Sequence, residues 1–542
     1  MFDANWATIW ESVADTVPDR PAILVGDSVV TYREFDERAA RLATALGAAG
    51  VGTGSKVAFY LYNSPEYLEA IYATLKVRAV PVNVNYRYRG RELADLLRDS
   101  DAEALLFHSS LAEHVRDALG DSPALKVLVE VDNEPGTGLD GAQGFDELIA
   151  DNTPAPRRER SGEDQIFMYT GGTTGLPKGV IWQQRDLFAG QCYPTYGVLG
   201  LPYPTSVEEA ASTAADVGDG APRALPVTPL VHATALFTVM DGLALGGSAV
   251  FVPERSFDPA AVLQAVEQHR VTRLVIAGNA TAAPLVDELD RAEEADRPYD
   301  IHTLTSMMSS GMAWSDDNKR RLLARHPMQL VEILGSSEGG PYAYAVAGNV
   351  DDLPSRFRLA DGGKVFDEQF RDVPAGSGQV GTLAFAGPMP LGYYKDPDKT
   401  AAVFRHLDDQ RFVMPGDLVT VAEDGSLELL GRGSGVINSG GEKIYPGEVE
   451  DALYAHPDVA DCAVFGVPDP RWGESVTALV VPKTGIVTSA ELIDHVGTRL
   501  AGYKKPKAIV IVDTLWRGPN GKLDMRRIKE HAKEALGLTE AS

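Results

Sequence analysis

Two apolar periods alternate along the first 130 or so residues, and their alternation predicts an α/β sheet. Residues 56–62 (Lys-Val-Ala-Phe-Tyr-Leu-Tyr) are an almost unbroken apolar run, the pattern of a buried strand. Ser64 and Pro65 then offer an N-cap and a first helical position, predicting a helix to about Val77. Ala79-Val80-Pro81-Val82 reads as the next strand, with Pro81 best placed near its start because it lacks an N–H. Upstream, Thr31 and Glu34 have the spacing of a capping box ahead of Phe35, Ala39, Leu42 and Leu46, which share one helical face. Gly47 and Gly50 end that helix. Apolar runs at 103–107 and 126–131 continue the pattern, as expected of a sheet covered on both faces.

The rest of the chain changes character. Residues 203–221, rich in Ala, Asp, Glu and Gly, are expected to form an exposed excursion. From about 345 to 431, short apolar runs between Gly, Pro and Asp pairs predict β-structure with tight turns. Gly431-Arg432-Gly433-Ser434-Gly435 then interrupts the chain. Beyond it, strands near 459–467, 475–482 and 508–513 interleave with helices near 447–455, 489–501 and 524–536, enough for a small α+β domain. The expected division is 1–433 and 434–542, with a hinge near Ser434.

A length of 542 residues exceeds one hydrophobic core, in agreement with that division. The formal charge of −27 argues against nucleic acid or an anionic membrane surface as the main partner. Cys192 and Cys462 stand far apart with no ligand-spaced histidines, so a disulfide framework or zinc site is not expected and a reducing cytoplasm fits best. No basic leader with an apolar core opens the chain, and no window approaches about 18 uninterrupted apolar residues. These features predict a cytoplasmic protein without a membrane span.

The candidate chemistry begins at Tyr169-Thr170-Gly171-Gly172-Thr173-Thr174-Gly175-Leu176-Pro177-Lys178-Gly179-Val180. A loop so rich in glycine and hydroxyls can wrap N–H groups around an oxyanion, and Lys178 adds a point charge. It is not a Walker A loop, because no glycine directly precedes Lys178 and Gly179 follows it. Further motifs follow in order. They are Pro229-Leu230-Val231-His232, Ser309-Ser310-Gly311-Met312-Ala313, Leu334-Gly335-Ser336-Ser337-Glu338 and Pro415-Gly416-Asp417. Beyond the glycine break come Ser439-Gly440-Gly441-Glu442-Lys443, Gly466-Val467-Pro468-Asp469 and Pro519-Asn520-Gly521-Lys522.

This ordered set resembles the adenylate-forming superfamily of acyl-CoA synthetases, aryl-CoA ligases, luciferases and peptide-synthetase adenylation domains. The combination of Gly-Gly-Thr-Thr-Gly, Leu-Gly-Ser-Ser-Glu and Met-Pro-Gly-Asp is similar to an actinobacterial branch of acyl-CoA ligases acting on steroid side chains and other bulky acids. The resemblance implies a large N-terminal domain of doubly wound sheets plus a small β-barrel-like part, and a small mobile α+β C-terminal domain. It implies a carboxylic acid, ATP with Mg²⁺, and coenzyme A as partners, and is compatible with a homodimer. An acyl-adenylate would form with loss of pyrophosphate, and a thiol would then displace AMP.

The resemblance also implies roles. Lys522 would bridge the substrate carboxylate and the α-phosphate, although an Asn-Gly turn alone usually carries an ordinary exposed lysine. His232 would wall the acyl pocket from the adenylate. Glu338 and Thr173 would hold Mg²⁺, a hard cation that prefers oxygen ligands. Thr170, Gly171, Gly172, Thr173, Thr174, Gly175 and Lys178 would surround phosphate. Gly311, Met312, Leu334, Gly335, Ser336 and Ser337 would line the nucleotide. Asp417 would accept both ribose hydroxyls, with Arg432 beside it. Ser439, Gly440, Gly441 and Lys443 would meet the thiol substrate. The basic residues Lys504, Lys505, Lys507, Arg526, Arg527, Lys529 and Lys533 either attract phosphates or form a solvated face.

Departures from the family pattern fall on ATP: Gly171 replaces a serine hydroxyl, and Leu334 replaces an aromatic ring. Ser434 stands where Asp or Lys is usual at the hinge. The leading expectation is therefore an acyl-CoA ligase for a hydrophobic acid of up to polycyclic size. The alternatives are an enzyme efficient only in the thioester half-reaction, a free-standing enzyme loading a carrier protein, and a nucleotide sensor without turnover.

Overall fold

The capping box forms as its sequence requires. Thr31 Oγ1 accepts the Glu34 N–H at 3.2 Å and Glu34 Oε2 accepts the Thr31 N–H at 2.8 Å, starting the helix Tyr32–Ala48. These distances come from a computed structural model, which describes all residues except 1, 121–124, 133–137, 171–176, 312–313, 433–434, 445, 484–486, 517–524 and 539–542.

The described strands form three sheets. One has the order Gly392–Tyr393, Lys178–Gln183, Gln165–Thr170, Val80–Asn83, Lys56–Tyr60, Ala102–His108, Val127–Val131 and Gln143–Gly144. Its central strands are parallel and buried, as their unbroken apolar runs require. Pro81 lies one residue inside its strand, which is Val80–Asn83. A second sheet carries five parallel pairings through Pro21–Val25, Ser248–Phe251, Arg223–Pro226, Arg273–Ile276, Ser306–Ser310 and Gln329–Ser336. It continues without a break into the antiparallel strands of 339–432, the turn-rich part expected from sequence. The third belongs to the C-terminal part: Glu442–Ile444, Ile437–Ser439, Gly473–Pro482 and Val459–Asp469, with Ala508–Ile511 pairing parallel to Gly473–Pro482. Helices Pro446–Tyr454, Ser489–Gly497 and Met525–Ala535 accompany it.

Two expectations need correction. Ser64 has the extended conformation of an N-cap, but its side chain makes no capping bond; Pro65 alone marks the start of the helix Pro65–Lys76. Residues 203–221 are not simply an exposed excursion, since Val207–Val217 is a helix with Ala210, Ala211 and Ala214 buried. Ser206 caps its start, and Arg20 donates to the carbonyls of Ala214 and Ala215 near its end at 2.7 and 3.0 Å. Small side chains let it lie closely on the first helix, Trp6–Thr16, so alanine here signals packing.

Cys192 and Cys462 are both buried, and neither forms a disulfide. No helix among the described residues is long and apolar enough to cross a membrane.

Candidate functional site

Two asparagines build the floor of the site. Asn63 donates to the carbonyls of Pro226 and Thr228 at 3.1 and 3.0 Å and accepts the Leu230 N–H at 2.6 Å. Buried Asn83 donates to the carbonyls of Tyr169 and Val231 at 3.1 and 2.7 Å and accepts the Tyr169 N–H. The segment before His232 is thereby tied to the strand that enters the Gly/Thr loop. His232 then sits at the N-cap of the helix Ala233–Ala244, half-exposed.

Thr170 and Lys178 face each other as the last register pair of an antiparallel hairpin, which fixes both ends of the intervening loop. Lys178 Nζ lies 3.5 Å from Asp396 Oδ2. Gly171, Gly172, Thr173, Thr174 and Gly175 lie outside the described residues, as do Met312, Lys522 and the hinge residue Ser434.

A cavity of about 2280 Å³ opens beside His232. Ligand pockets commonly hold about 300–1,000 Å³, so this one has room for more than one reactant. Its sheet wall follows strand alternation: Ser306, Met308 and Ser310 face it from one strand, and Gln329, Val331, Ile333 and Gly335 from the next. Leu334 falls on the other face and packs against the large N-terminal core. It is therefore not among the residues lining the cavity, and neither are Thr170, Lys178, Glu338, Asp417 and Ser439. His232, Gly311, Gly335, Ser336, Ser337, Gly440, Gly441 and Lys443 are brought together there.

Glu338 and Asp417 are both buried. Glu338 Oε1 accepts the Tyr393 hydroxyl at 2.7 Å, and the backbone N–H of Glu338 donates to Ser336 Oγ at 3.3 Å. Asp417 pairs with Arg432 across adjacent antiparallel strands, so the two expected ribose positions share a register pair. Among the described residues no cluster of three or more His, Cys, Asp or Glu could hold a metal ion.

The C-terminal part reaches the cavity through a hairpin. Ser439 pairs with Glu442, and Gly440 and Gly441 between them have φ of +63° and +83°. A two-residue turn with both centres at positive φ suits glycine. A Cβ on Gly440 would also stand 2.8 Å from Trp472 Cε3.

Glu442, which sequence reasoning did not select, anchors this hairpin. Its carboxylate accepts from Arg87 Nη1 at 3.2 Å and Asn85 Nδ2 at 3.4 Å, and lies 3.5 Å from His232 Nε2. Burial pushes its pKa up, but His232, Arg87 and Lys504 outweigh burial and hold it below the usual carboxylate range. With the pKa lowered on docking, the contribution of Glu442 is fully present above the ordinary value near about 4.3. It is lost as pH falls through the lowered value.

Lys504 belongs to the same interface. It is buried and bonds Glu92 of the N-terminal part at 2.7 Å and Glu448 of the C-terminal part at 2.8 Å. Burial pulls its pKa down, and the two carboxylates more than restore it. Of the two readings offered for the basic cluster, Lys504 fits neither, because its charge is already spent on two carboxylates. Glu92 Oε2 also accepts the Ala501 N–H at 3.1 Å, and Arg89 donates to the Gly497 carbonyl at 3.3 Å.

The model of the AMP-binding enzyme family matches residues 10–394, and that of the AMP-binding enzyme C-terminal domain matches residues 448–522. A medium/long-chain-fatty-acid–CoA/3-oxocholest-4-en-26-oate–CoA ligase of Mycolicibacterium smegmatis is 37% identical over 98% of this chain and 97% of its own. A 3-oxocholest-4-en-26-oate–CoA ligase of Rhodococcus rhodochrous is 38% identical over 99% of this chain and 97% of its own. Among solved structures, the amide bond synthetase McbA from Marinactinospora thermotolerans has a TM-score of 0.78 at 26% identity, covering 96% of this chain and 99% of that one.

Proposed function

The chain belongs to the family of AMP-binding enzymes and is an AMP-forming acyl-CoA ligase; we propose that its acid is hydrophobic and bulky, up to polycyclic size. The observation that supports the acid class is the long cavity, whose mostly apolar walls begin beside His232. Relatives acting on medium and long-chain fatty acids and on 3-oxocholest-4-en-26-oate point the same way.

In the reading proposed here, the acid carboxylate attacks the α-phosphate of ATP and pyrophosphate leaves. The thiol of coenzyme A then attacks the acyl carbon and AMP leaves. Charge grows on phosphate oxygens in the first step, so fixed donors and cations are the resource that matters. The Gly/Thr loop with Thr170 and Lys178 would supply them, and Asp417 with Arg432 would fix the ribose. Glu338 is a buried carboxylate whose Oε1 accepts the Tyr393 hydroxyl and, with Thr173, would hold Mg²⁺. The ion would offset phosphate charge.

The C-terminal part, from about residue 434, would move about Ser434 between two poses. The described pose puts the Gly440-Gly441 tip on the cavity and would be the one that forms the thioester. Glu442→Gln keeps the shape but gives up a charge-assisted contact with Arg87. Thioester formation from a supplied adenylate should slow by about tenfold, with adenylation nearly unchanged. Equal slowing of both half-reactions would count against this assignment of the pose.

The test of the overall reading is a coenzyme A ligation screen over fatty, aryl, steroid and terpenoid acids. Each acid is run with ATP and, separately, as its preformed adenylate. Thioester from bulky hydrophobic acids in both arms is expected. Thioester only from the adenylates would show an inefficient first step, and transfer only to a carrier protein would overturn the choice of acceptor.

A further inference from the structure

The cavity runs from one edge of the second sheet to the other. His232, Ala277, Gly311 and Gly335 line it at the carboxyl edge of the parallel strands, beside Gly440, Gly441 and Lys443 of the C-terminal part. Thr272, Thr305 and Gln329 line it at the amino edge. There the Thr305 N–H donates to the Thr272 carbonyl and the Gln329 N–H to the Thr305 carbonyl, both at 2.8 Å. From Thr272 to Ala277 the strand covers about 16 Å. Thr305 and Gln329 are exposed, so the cavity also meets solvent at this remote edge.

The other side of this mouth is the end of the helix Gln184–Val198. Gly200 follows it at φ +67°, the Leu201 N–H donates to the Tyr196 carbonyl at 2.8 Å, and the Gly200 N–H donates to the Gly197 carbonyl at 3.1 Å. That is a Schellman terminus, whose left-handed position suits glycine. Leu201 folds back onto the large core, while Val198 and Leu199 are held outward, 81% and 38% exposed, where they line the cavity. Tyr193 and Val346 line it as well and are 60% and 47% exposed. Both flanks lie at the amino edge. The Thr195 side chain bonds Asp241, which Arg273, the neighbour of Thr272, also holds, and Val346 pairs with Val331, two residues from Gln329. Single exposed apolar side chains are ordinary, but four around one opening form a patch that marks a place of contact.

We infer that the cavity is open at both ends and that the far end of a long acid leaves the protein through this remote mouth. With its carboxyl group beside His232, the acid threads the cavity, lays its hydrocarbon against Tyr193, Val198, Leu199 and Val346, and keeps its last atoms outside. The inference rests on the acyl-CoA ligase reading and extends it to a substrate class: acids whose far end carries a group too large or too hydrated for a closed pocket. A residue of three backbone bonds spans about 3.3–3.6 Å, so an extended chain advances about 1.2 Å per bond and crosses the cavity in about 13 bonds. The thiol arrives from the side of the Gly440-Gly441 hairpin, so the two substrates do not compete for one entrance. The occupant of the rim is the acid rather than a lipid surface, because the rim is continuous with the cavity and a formal charge of −27 opposes anionic lipid.

The test measures kcat/KM for coenzyme A ligation of straight-chain acids that end either in a methyl group or in a short polyethylene glycol joined through an amide. Spacers of about 8, 12, 16 and 20 bonds bracket the span of the cavity. Capped acids on the two shorter spacers should be ligated at least about tenfold less efficiently than their plain counterparts, and those on the two longer spacers within about threefold. Gly197 lines the cavity beside the rim, and a Cβ there would meet nothing within 4 Å, so Gly197→Trp adds bulk at the mouth without a clash. It should lower kcat/KM for the long capped acids by at least about tenfold relative to the shortest plain acid. Should that variant fail to fold, the spacer series on the wild type carries the test. Rejection of the cap on every spacer while plain acids turn over would overturn the inference, and so would long capped acids that Gly197→Trp accepts as well as the wild type does. Thioester from no acid, plain or capped, would instead overturn the ligase reading.

Discussion

Replacing Lys522 by Ala is expected to slow acyl-adenylate formation by about three orders of magnitude, leaving thioester formation from a supplied adenylate nearly untouched. The charge of an ammonium is worth most where negative charge develops, and only the first half-reaction builds charge on the α-phosphate. Lys522 itself lies outside the described residues. In the described pose the Gly440-Gly441 hairpin lines the cavity, and two poses of one C-terminal domain would each deliver a different segment. Pyrophosphate release measures the first half-reaction, and thioester formed from preformed adenylate measures the second. Equal loss in both would remove Lys522 from the proposed role, and so would rescue by Gln, which keeps a polar N–H donor without the charge.

The parts of this molecule that were legible in its sequence are those whose cause is local. Thr31 and Glu34 are three residues apart and form the expected capping box, because the geometry of one helical turn dictates it. The hairpin turning at Gly440 and Gly441 has an equally local cause, positive φ at both positions, although it was not read from the sequence. The strands Lys56–Tyr60, Val80–Asn83, Ala102–His108 and Val127–Val131 announce themselves as apolar runs. Where the reading failed, the cause lay in tertiary partners. Nothing within 203–221 says that the first helix will cover Ala210 and Ala214.

The site was legible in the same uneven way. His232, Gly311, Gly335 and Gly440 converge on one cavity. Leu334 sits in a motif that suggests adenine contact, and strand alternation puts it on the face opposite the residues that line the cavity. Glu442 stood in plain view beside two glycines, but its importance depends on Arg87, more than three hundred positions earlier. Contacts between distant segments leave no periodic trace in a single chain.

The most demanding test of the two-pose proposal is therefore at such a contact. Lys504→Met should slow thioester formation by on the order of a hundredfold and spare adenylation. In the described pose the ammonium lies between Glu92 and Glu448, each belonging to a different part of the chain. Taking it away leaves two carboxylates facing each other in a buried interface, and breaking a buried pair costs about 3–5 kcal/mol. That cost falls only on a pose in which the two carboxylates meet, so the docked population should drop while any other pose is unaffected. The same reasoning fixes the control. Replacing all the charges of a buried ion cluster by apolar groups is often close to neutral, because the desolvation cost disappears with the attraction. The triple variant Lys504→Met, Glu92→Leu, Glu448→Leu should therefore recover much of the lost rate, giving strong non-additivity in a mutant cycle. Thioester formation as fast in Lys504→Met as in the wild type would mean that the described interface is not the one in which the thiol reacts. Loss of adenylation to the same degree would mean that Lys504 supports the whole protein rather than one pose.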